Sequence, residues 1–217
     1  MIERLERLLI ALAEDPQAPT SVRDPVRGAD VHVADSLSGF EIAGLRDADR
    51  LVDIGSGAGF PGLVLAVAMP HAEFDLVEAA ERKCAFLERV TAALGLGNVR
   101  VICARAEEWA AAGGAEAYDA AVVRAVGLLA TLLEYGAPLL RIGGRLVAWK
   151  GRRDLGEERG GETAAKLLGM RLSAVEWVGP FAGSRHRHLY AWQKLSPTPP
   201  DYPRRPGMAK KRPLGGR

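Results

Sequence analysis

The residues able to do chemistry in this 217-residue chain recur at regular intervals. Asp53 precedes Gly55, Gly57 and Gly59 in the run Leu51-Val52-Asp53-Ile54-Gly55-Ser56-Gly57-Ala58-Gly59-Phe60-Pro61-Gly62. A short apolar run that meets a carboxylate and then a glycine at every second position reads as a buried strand, a tight turn and a helix start. Glycine brings backbone close to a ligand, and a helix N-terminus offers unpaired N–H groups to an anion. This is the chemistry of a nucleoside or nucleotide site, and the loop alone leaves two cofactors open. Counted from Gly57, the spacing fits the dinucleotide fingerprint; counted from Gly55, it is the Gly-x-Gly-x-Gly of adenosylmethionine enzymes.

Further along, Glu78 follows the loop by about twenty residues, where a carboxylate that accepts both ribose hydroxyls belongs. Ala106 and Glu107 offer a backbone and a carboxylate to an adenine, or equally a helix start with an acid complementing the dipole. Phe60 is a flat surface for an adenosine, or simple packing. Arg124 ends a buried run, Ala120 to Val123, and a guanidinium there calls for an anionic partner: a cofactor carboxylate, a substrate phosphate or a neighbouring Asp. Lys150, before Gly151-Arg152-Arg153, offers an ammonium to a phosphate or is a solvated basic turn.

The elements that must hold these residues follow from periodicity. Residues 2–13 place Ile2, Leu5, Leu8, Leu9 and Leu12 at helical spacing. Asp15-Pro16 stops that helix, and the stretch to Asp30 reads as a loop, with a second helix at about 35–45. Strands are expected at 51–54, 74–78, 99–103, 119–123 and 145–149, and helices at 61–68, 79–94, 106–112, 128–140 and 154–168. Residues 171–177 and 188–194 form a terminal antiparallel hairpin. Strands alternating with helices imply a parallel sheet with right-handed crossovers, whose ligand lies outside the carboxyl ends of the strands. That rule gathers the scattered residues into one site. With Asp53 ahead of the loop, the hairpin favours an α/β, Rossmann-like class I adenosylmethionine-dependent methyltransferase over a nicotinamide dehydrogenase: a mostly parallel seven-stranded sheet, an antiparallel C-terminal hairpin and an N-terminal helical extension.

Composition bounds the rest. The chain suits one domain over residues 1–200, including the extension at 1–48. No apolar run approaches a bilayer span and the N-terminus lacks a secretory layout, so a cytoplasmic location is expected. Four histidines and no paired-cysteine spacing speak against a metal. Cys84 and Cys103, one on a helix and one at a strand end, are expected to be reduced. Residues 202–217 carry six of the 29 basic side chains and no acid, which leaves 23 basic against 27 acidic, a net of −4, elsewhere. The tail 201–217 is therefore expected to be extended until a polyanion such as RNA orders it through Arg204, Arg205, Lys210, Lys211 and Arg212, unless it is only solubilising.

Two absences narrow the methyl acceptor. No Asp/Asn-Pro-Pro-Tyr/Phe run of amino-directed enzymes is present, and neither cysteine follows a proline as a pyrimidine-attacking nucleophile often does. Guanine N7 fits, because its lone pair needs neither a general base nor a covalent intermediate, and positioning supplies most of the catalysis.

Across nearly its whole length the chain resembles the bacterial 16S ribosomal RNA guanine-N7 methyltransferase family, RsmG or GidB. The segments are Thr20-Ser21-Val22-Arg23-Asp24-Pro25, His32-Val33-Ala34-Asp35-Ser36-Leu37, the glycine loop through Phe60-Pro61-Gly62, Arg82-Lys83-Cys84-Ala85-Phe86-Leu87, Arg105-Ala106-Glu107-Glu108, Val123-Arg124-Ala125, Lys150-Gly151 and Tyr202-Pro203-Arg204-Arg205-Pro206-Gly207. The resemblance implies S-adenosyl-L-methionine contacts at Gly55, Phe60, Ala106, Glu107 and Arg124. It also implies a guanine of the small ribosomal subunit RNA as substrate, and a monomer is expected. Two departures stand out: the segment before Thr20 is short and lacks an Asn-rich stretch, and Glu78 stands where many members carry Asp. An RNA-binding assembly factor that retains a cofactor pocket is the other reading of the same features.

Overall fold

In the computed structural model, which describes residues 1–216, strands β1 (Arg50–Ile54), β2 (Glu73–Glu78), β3 (Val99–Cys103), β4 (Tyr118–Arg124), β5 (Leu140–Lys150), β6 (Met170–Trp177) and β7 (His188–Lys194) form one sheet in the order β3-β2-β1-β4-β5-β7-β6. The first five run parallel. The last strand slots antiparallel between β5 and β6. Val52 and Ile54 of β1 face a core built with helices α7 (Leu129–Gly136) and α8 (Leu155–Leu167). Leu51 faces the opposite side, where α4 (Gly62–Ala68) lies. Period-two alternation of a central strand thus feeds two helical layers.

The amphipathic α1 (Ile2–Glu14) buries Leu5, Leu8, Leu9 and Leu12 in a core shared with α4 and α5 (Glu81–Leu94). Gly95, at φ 61°, ends α5 in a left-handed cap, the conformation glycine adopts without a Cβ penalty.

The stretch expected to be a loop before residue 30 is helical from α2 (Pro25–Gly28), because Asp24 caps it by accepting the Val26 N–H at 3.0 Å and Pro25 occupies the first turn. It continues through a π turn, Ala29–Ala34, into α3 (Asp35–Leu37). The expected helix over 35–45 is therefore displaced toward the N-terminus, and a kinked 3-10 segment, Ile42–Asp47, follows.

The fifth strand starts before the expected residue 145, and Gly143-Gly144 lies inside it. The β4–β5 register shifts there, Gly143 adopts φ 85°, and a Cβ on Gly144 would come within 3.1 Å of the Tyr118 and Asp119 carbonyls. The pair is a bulge that bends a longer strand. α6 (Ala106–Trp109) likewise widens into a π turn over Ala110–Gly114.

Two further expectations are corrected. Cys84 and Cys103 form a disulfide with a Cα–Cα distance of 5.7 Å. Cys103 pairs in register with Glu78 at the end of β2, and α5 starts three residues beyond Glu78, which brings Cys84 of its first turn over the end of β3. The basic tail is docked rather than extended. The Arg204 guanidinium donates two hydrogen bonds to Glu134 at 2.8 and 2.6 Å, Thr131 donates to the Ala209 carbonyl at 3.1 Å, and Ala209 and Leu214 are buried. Its short helix, α9 (Met208–Lys211), rests on α7. Arg217 lies outside the described residues. Among the described residues, no helix is long and apolar enough to cross a membrane.

Candidate active site

Two cavities open at the carboxyl ends of the strands and meet at Ala125, which lines both. Ala125 adopts φ 59°, a left-handed conformation that costs an alanine energy and is tolerated where the surroundings impose it.

The first cavity, about 330 Å³, is bounded by Gly55, Glu78, Arg105, Ala106 and Glu107, together with Lys210 of the C-terminal segment. Gly55 has φ 70°, and a Cβ there would lie 2.7 Å from Val126 Cγ2, so a side chain would both strain the turn and push into the cavity wall. Gly57 donates its N–H to Glu78 Oε2 at 3.0 Å, and Ala80 donates to Oε1 at 2.9 Å. The loop therefore fixes the Glu78 carboxylate at the rim, with lone pairs left for further donors. Glu107 is also engaged: its Oε1 accepts the Gly207 N–H at 2.8 Å.

Asp53, Gly57, Gly59 and Phe60 do not line this cavity. Asp53 is fully enclosed, accepts the Gly62 N–H at 3.0 Å through Oδ2, and leaves Oδ1 without a partner. Burial, opposed by the Gly62 hydrogen bond and the Arg124 charge, pushes its carboxyl up to about 7. A Cβ on Gly62 would approach Asp53 Oδ2 to 2.6 Å and one on Gly59 would collide with Leu63, so these glycines permit close packing under the loop. The Phe60 ring stacks on His32, with centroids 4.3 Å apart and planes 7° from parallel, and is not among the residues lining the first cavity.

The second cavity, about 310 Å³, is lined by His32, Asp35, Arg124, Trp149, Lys150 and Arg187. Arg124 donates to Asp35 Oδ2 at 2.8 Å and Arg187 Nε approaches Asp35 Oδ1 at 3.1 Å, an ion pair whose angle falls short of a hydrogen bond. One buried carboxylate thus anchors two guanidiniums, leaving this wall net positive. The neighbouring-Asp partner is the one Arg124 finds; its guanidinium also stands 5.3 Å from the Phe60 ring centroid. Burial, then the Arg124 charge, lowers His32 to about 4, so its imidazole is neutral near pH 7. Trp149 donates from Nε1 to the Asp35 carbonyl at 2.7 Å.

The Lys150 ammonium, expected to be open to a phosphate, is 2.6 Å from Glu157 and donates to the Gly127 carbonyl at 2.9 Å. It ties β5 to α8, with only its flank toward the cavity. Arg204, expected to face RNA, is spent on the fully buried Glu134. Arg205, Lys210, Lys211 and Arg212 remain exposed.

Sequence reasoning missed Asp35 and Arg187 as site residues. The spacing His32-x-x-Asp35 puts two polar side chains on one helical face, a signal available in the chain. Arg187 carried none, since only the placement of β7 beside β5 brings it to the strand ends.

A family model described as "GidB: rRNA small subunit methyltransferase G" matches residues 2–190. The chain is 40% identical over 215 residues to "Ribosomal RNA small subunit methyltransferase G" of Carboxydothermus hydrogenoformans, covering 99% of this chain and 91% of the relative. It is 44% identical over 189 residues to the protein of that name from Rubrobacter xylanophilus, covering 85% and 72%. Among solved structures, a mutant of MtNAS in complex with S-adenosylmethionine superposes with a TM-score of 0.61 at 15% identity, covering 89% of this chain and 73% of that one. A Burkholderia thailandensis 1,6-didemethyltoxoflavin-N1-methyltransferase with bound S-adenosylhomocysteine reaches 0.56 at 16%, covering 90% and 89%. These structural likenesses give the fold, the Rossmann-like class I fold of adenosylmethionine-dependent methyltransferases with a mixed sheet. The extent and identity of the sequence match go further, and the chain belongs to the GidB family of small-subunit ribosomal RNA methyltransferases.

Proposed function

We propose that the protein transfers a methyl group from S-adenosylmethionine to N7 of a guanine in 16S ribosomal RNA of the small subunit, acting as a single chain. The observation that carries this reading is the meeting of two chemically different cavities at Ala125: one built on the glycine loop and Glu78, the other on an arginine pair held by Asp35. The residues fit the cofactor. Gly55 leaves room that a Cβ would fill, Glu78 presents lone pairs to ribose hydroxyls, and the N–H groups that open α6 at Ala106 and Glu107 suit the edge of an adenine.

When bound, the cofactor would supply an electrophilic methyl on a sulfonium, one that an N7 lone pair can accept directly because the C–S electron pair can stay on sulfur. No proton has to move, so the protein needs no base in the acceptor cavity. Neutral His32 and Arg-paired Asp35 match that requirement. Arg124 and Arg187 orient the acceptor through its phosphates, and the geometry of the two cavities sets the line of attack. Asp35 holds both guanidiniums in place before substrate arrives.

The test uses small subunits from a strain lacking N7-methylguanine in 16S RNA, incubated with the protein and methyl-labelled adenosylmethionine. Label at a single guanine, cleaved by chemistry specific for N7-methylguanine, is the expected result. Label at another atom, or none, removes the reading.

A further inference from the structure

The family model covers residues 2–190, and from the segment beyond it, residues 201–216, Lys210 lines the glycine-loop cavity. We propose that Lys210 of this segment is a cofactor-binding residue whose ammonium pairs with the α-carboxylate of S-adenosylmethionine, so that the docked C-terminal segment completes the cofactor site. This rests on the cofactor reading above and adds to it a residue and an element.

Three cations line the cavity: Lys83, Arg105 and Lys210. Lys83 lies 3.8 Å from Glu78, and Arg105 lies 3.8 Å from Glu107. Arg124, the other candidate for a cofactor carboxylate, points into the neighbouring cavity and is occupied by Asp35. Lys210 alone of these cations has no carboxylate within ion-pair distance among the described residues. On the ligand side the choice is equally narrow. The sulfonium and the amino group of adenosylmethionine are cationic, adenine and ribose are neutral near pH 7, and only the α-carboxylate offers an ammonium a charge partner.

The backbone that carries Lys210 is fixed before any ligand binds. Gly207 is held by Glu107, Arg204 by the buried Glu134, and the Ala209 carbonyl by Thr131 in α7. The segment therefore runs from the head of α6 to the start of α7, with Lys210 directly after the last anchor. Lys210 also borders the hollow beside Gly127 and Leu128, in the loop that follows β4. Only the lysine side chain has to become ordered on binding, which keeps the entropic cost small.

Titration calorimetry on the full chain, with S-adenosylhomocysteine and 5′-methylthioadenosine as probes, tests the proposal, since the second ligand lacks the amino-acid moiety. Lys210→Ala is expected to weaken S-adenosylhomocysteine about tenfold, the loss of one charge-assisted contact, and to leave methylthioadenosine affinity unchanged. Lys210→Arg is expected to recover most of the loss. Equal weakening of both ligands, or of neither, overturns the assignment, as does a defect confined to RNA affinity. If the unaltered protein binds neither ligand, the cofactor reading falls and this proposal with it.

Discussion

Asp53 sits on β1 with its carboxyl wholly enclosed, one oxygen bonded to the Gly62 N–H and the other without a partner. Burial raises its folded-state pKa to about 7, from the ordinary carboxylate value of 3.8. Between those two values the folded state binds the proton more tightly than the unfolded chain, so stability falls as pH rises through that window and levels off above it. The full span is worth up to about 4 kcal/mol. Asp53→Asn keeps an oxygen for Gly62 and does not titrate; urea unfolding from pH 4 to 8 should lose this slope in the variant. At Asp35 the expected effect is on rate. Asp35→Ala leaves Arg124 and Arg187 facing each other without their shared anion. Methyl transfer to small subunits should drop about a hundredfold, while calorimetric affinity for S-adenosylhomocysteine stays within twofold, roughly the spread of a remote change.

At the scale of elements, irregular helices and a docked segment carry the site. The π turn at Ala29–Ala34 continues directly into α3, and together they present His32 and Asp35 to the strand ends; such turns recur where a helix must aim side chains at a functional site. Among the anchors of the C-terminal segment is an ion pair between Arg204 and a Glu134 that is fully buried. Arg204→Ala leaves that carboxylate enclosed and unpaired, at a cost of about 3 kcal/mol. Equilibrium urea unfolding should show it, and a companion Glu134→Leu change should return much of the loss, because the penalty lies in the orphaned charge. No recovery in the double variant would mean that the loss comes from the broken Arg204 contact itself rather than from the orphaned charge.

Over the whole molecule, charge and covalent closure are distributed unevenly. Arg205, Lys211 and Arg212 stand exposed around one shallow hollow on the docked segment. With Arg204 spent on Glu134, these three carry the proposed RNA contact of the tail. Replacing all three by alanine should reduce the slope of log affinity for 16S RNA against log salt by about 2; an unchanged slope would place the phosphate contacts elsewhere. The Cys84–Cys103 disulfide closes a loop spanning 19 positions. Reduction should cost about 3 kcal/mol through the unfolded chain's regained freedom, measured as a lower denaturant midpoint in dithiothreitol that Cys84→Ser makes redox-independent.

Local chemistry was enough to determine the parallel sheet, the glycine turn, and Glu78, Ala106 and Glu107 at strand ends. Alternation, turn residues and the carboxyl-end rule act over short stretches of chain and survive without knowledge of contacts. The membership of the GidB family was legible in the same way, in contiguous runs such as His32 to Leu37 and Phe60 to Gly62. The helix starting at Pro25 was also written in the chain, as Asp24-Pro25, but stood among residues that otherwise read as loop. Tertiary structure alone decided which residue each charge would meet. Arg124 found Asp35 from a segment 89 positions away, and Arg204 found Glu134 70 positions away. It also placed Arg187 beside Arg124 and Asp35, turned Phe60 onto His32, brought two cysteines together and converted an apparently solvated tail into a wall of the glycine-loop cavity. The physical reason is common to all of these. A buried charge or aromatic face needs a partner, but which one it gets depends on which elements the sheet order makes neighbours, and β7 entering between β5 and β6 is a long-range choice that no local pattern encodes.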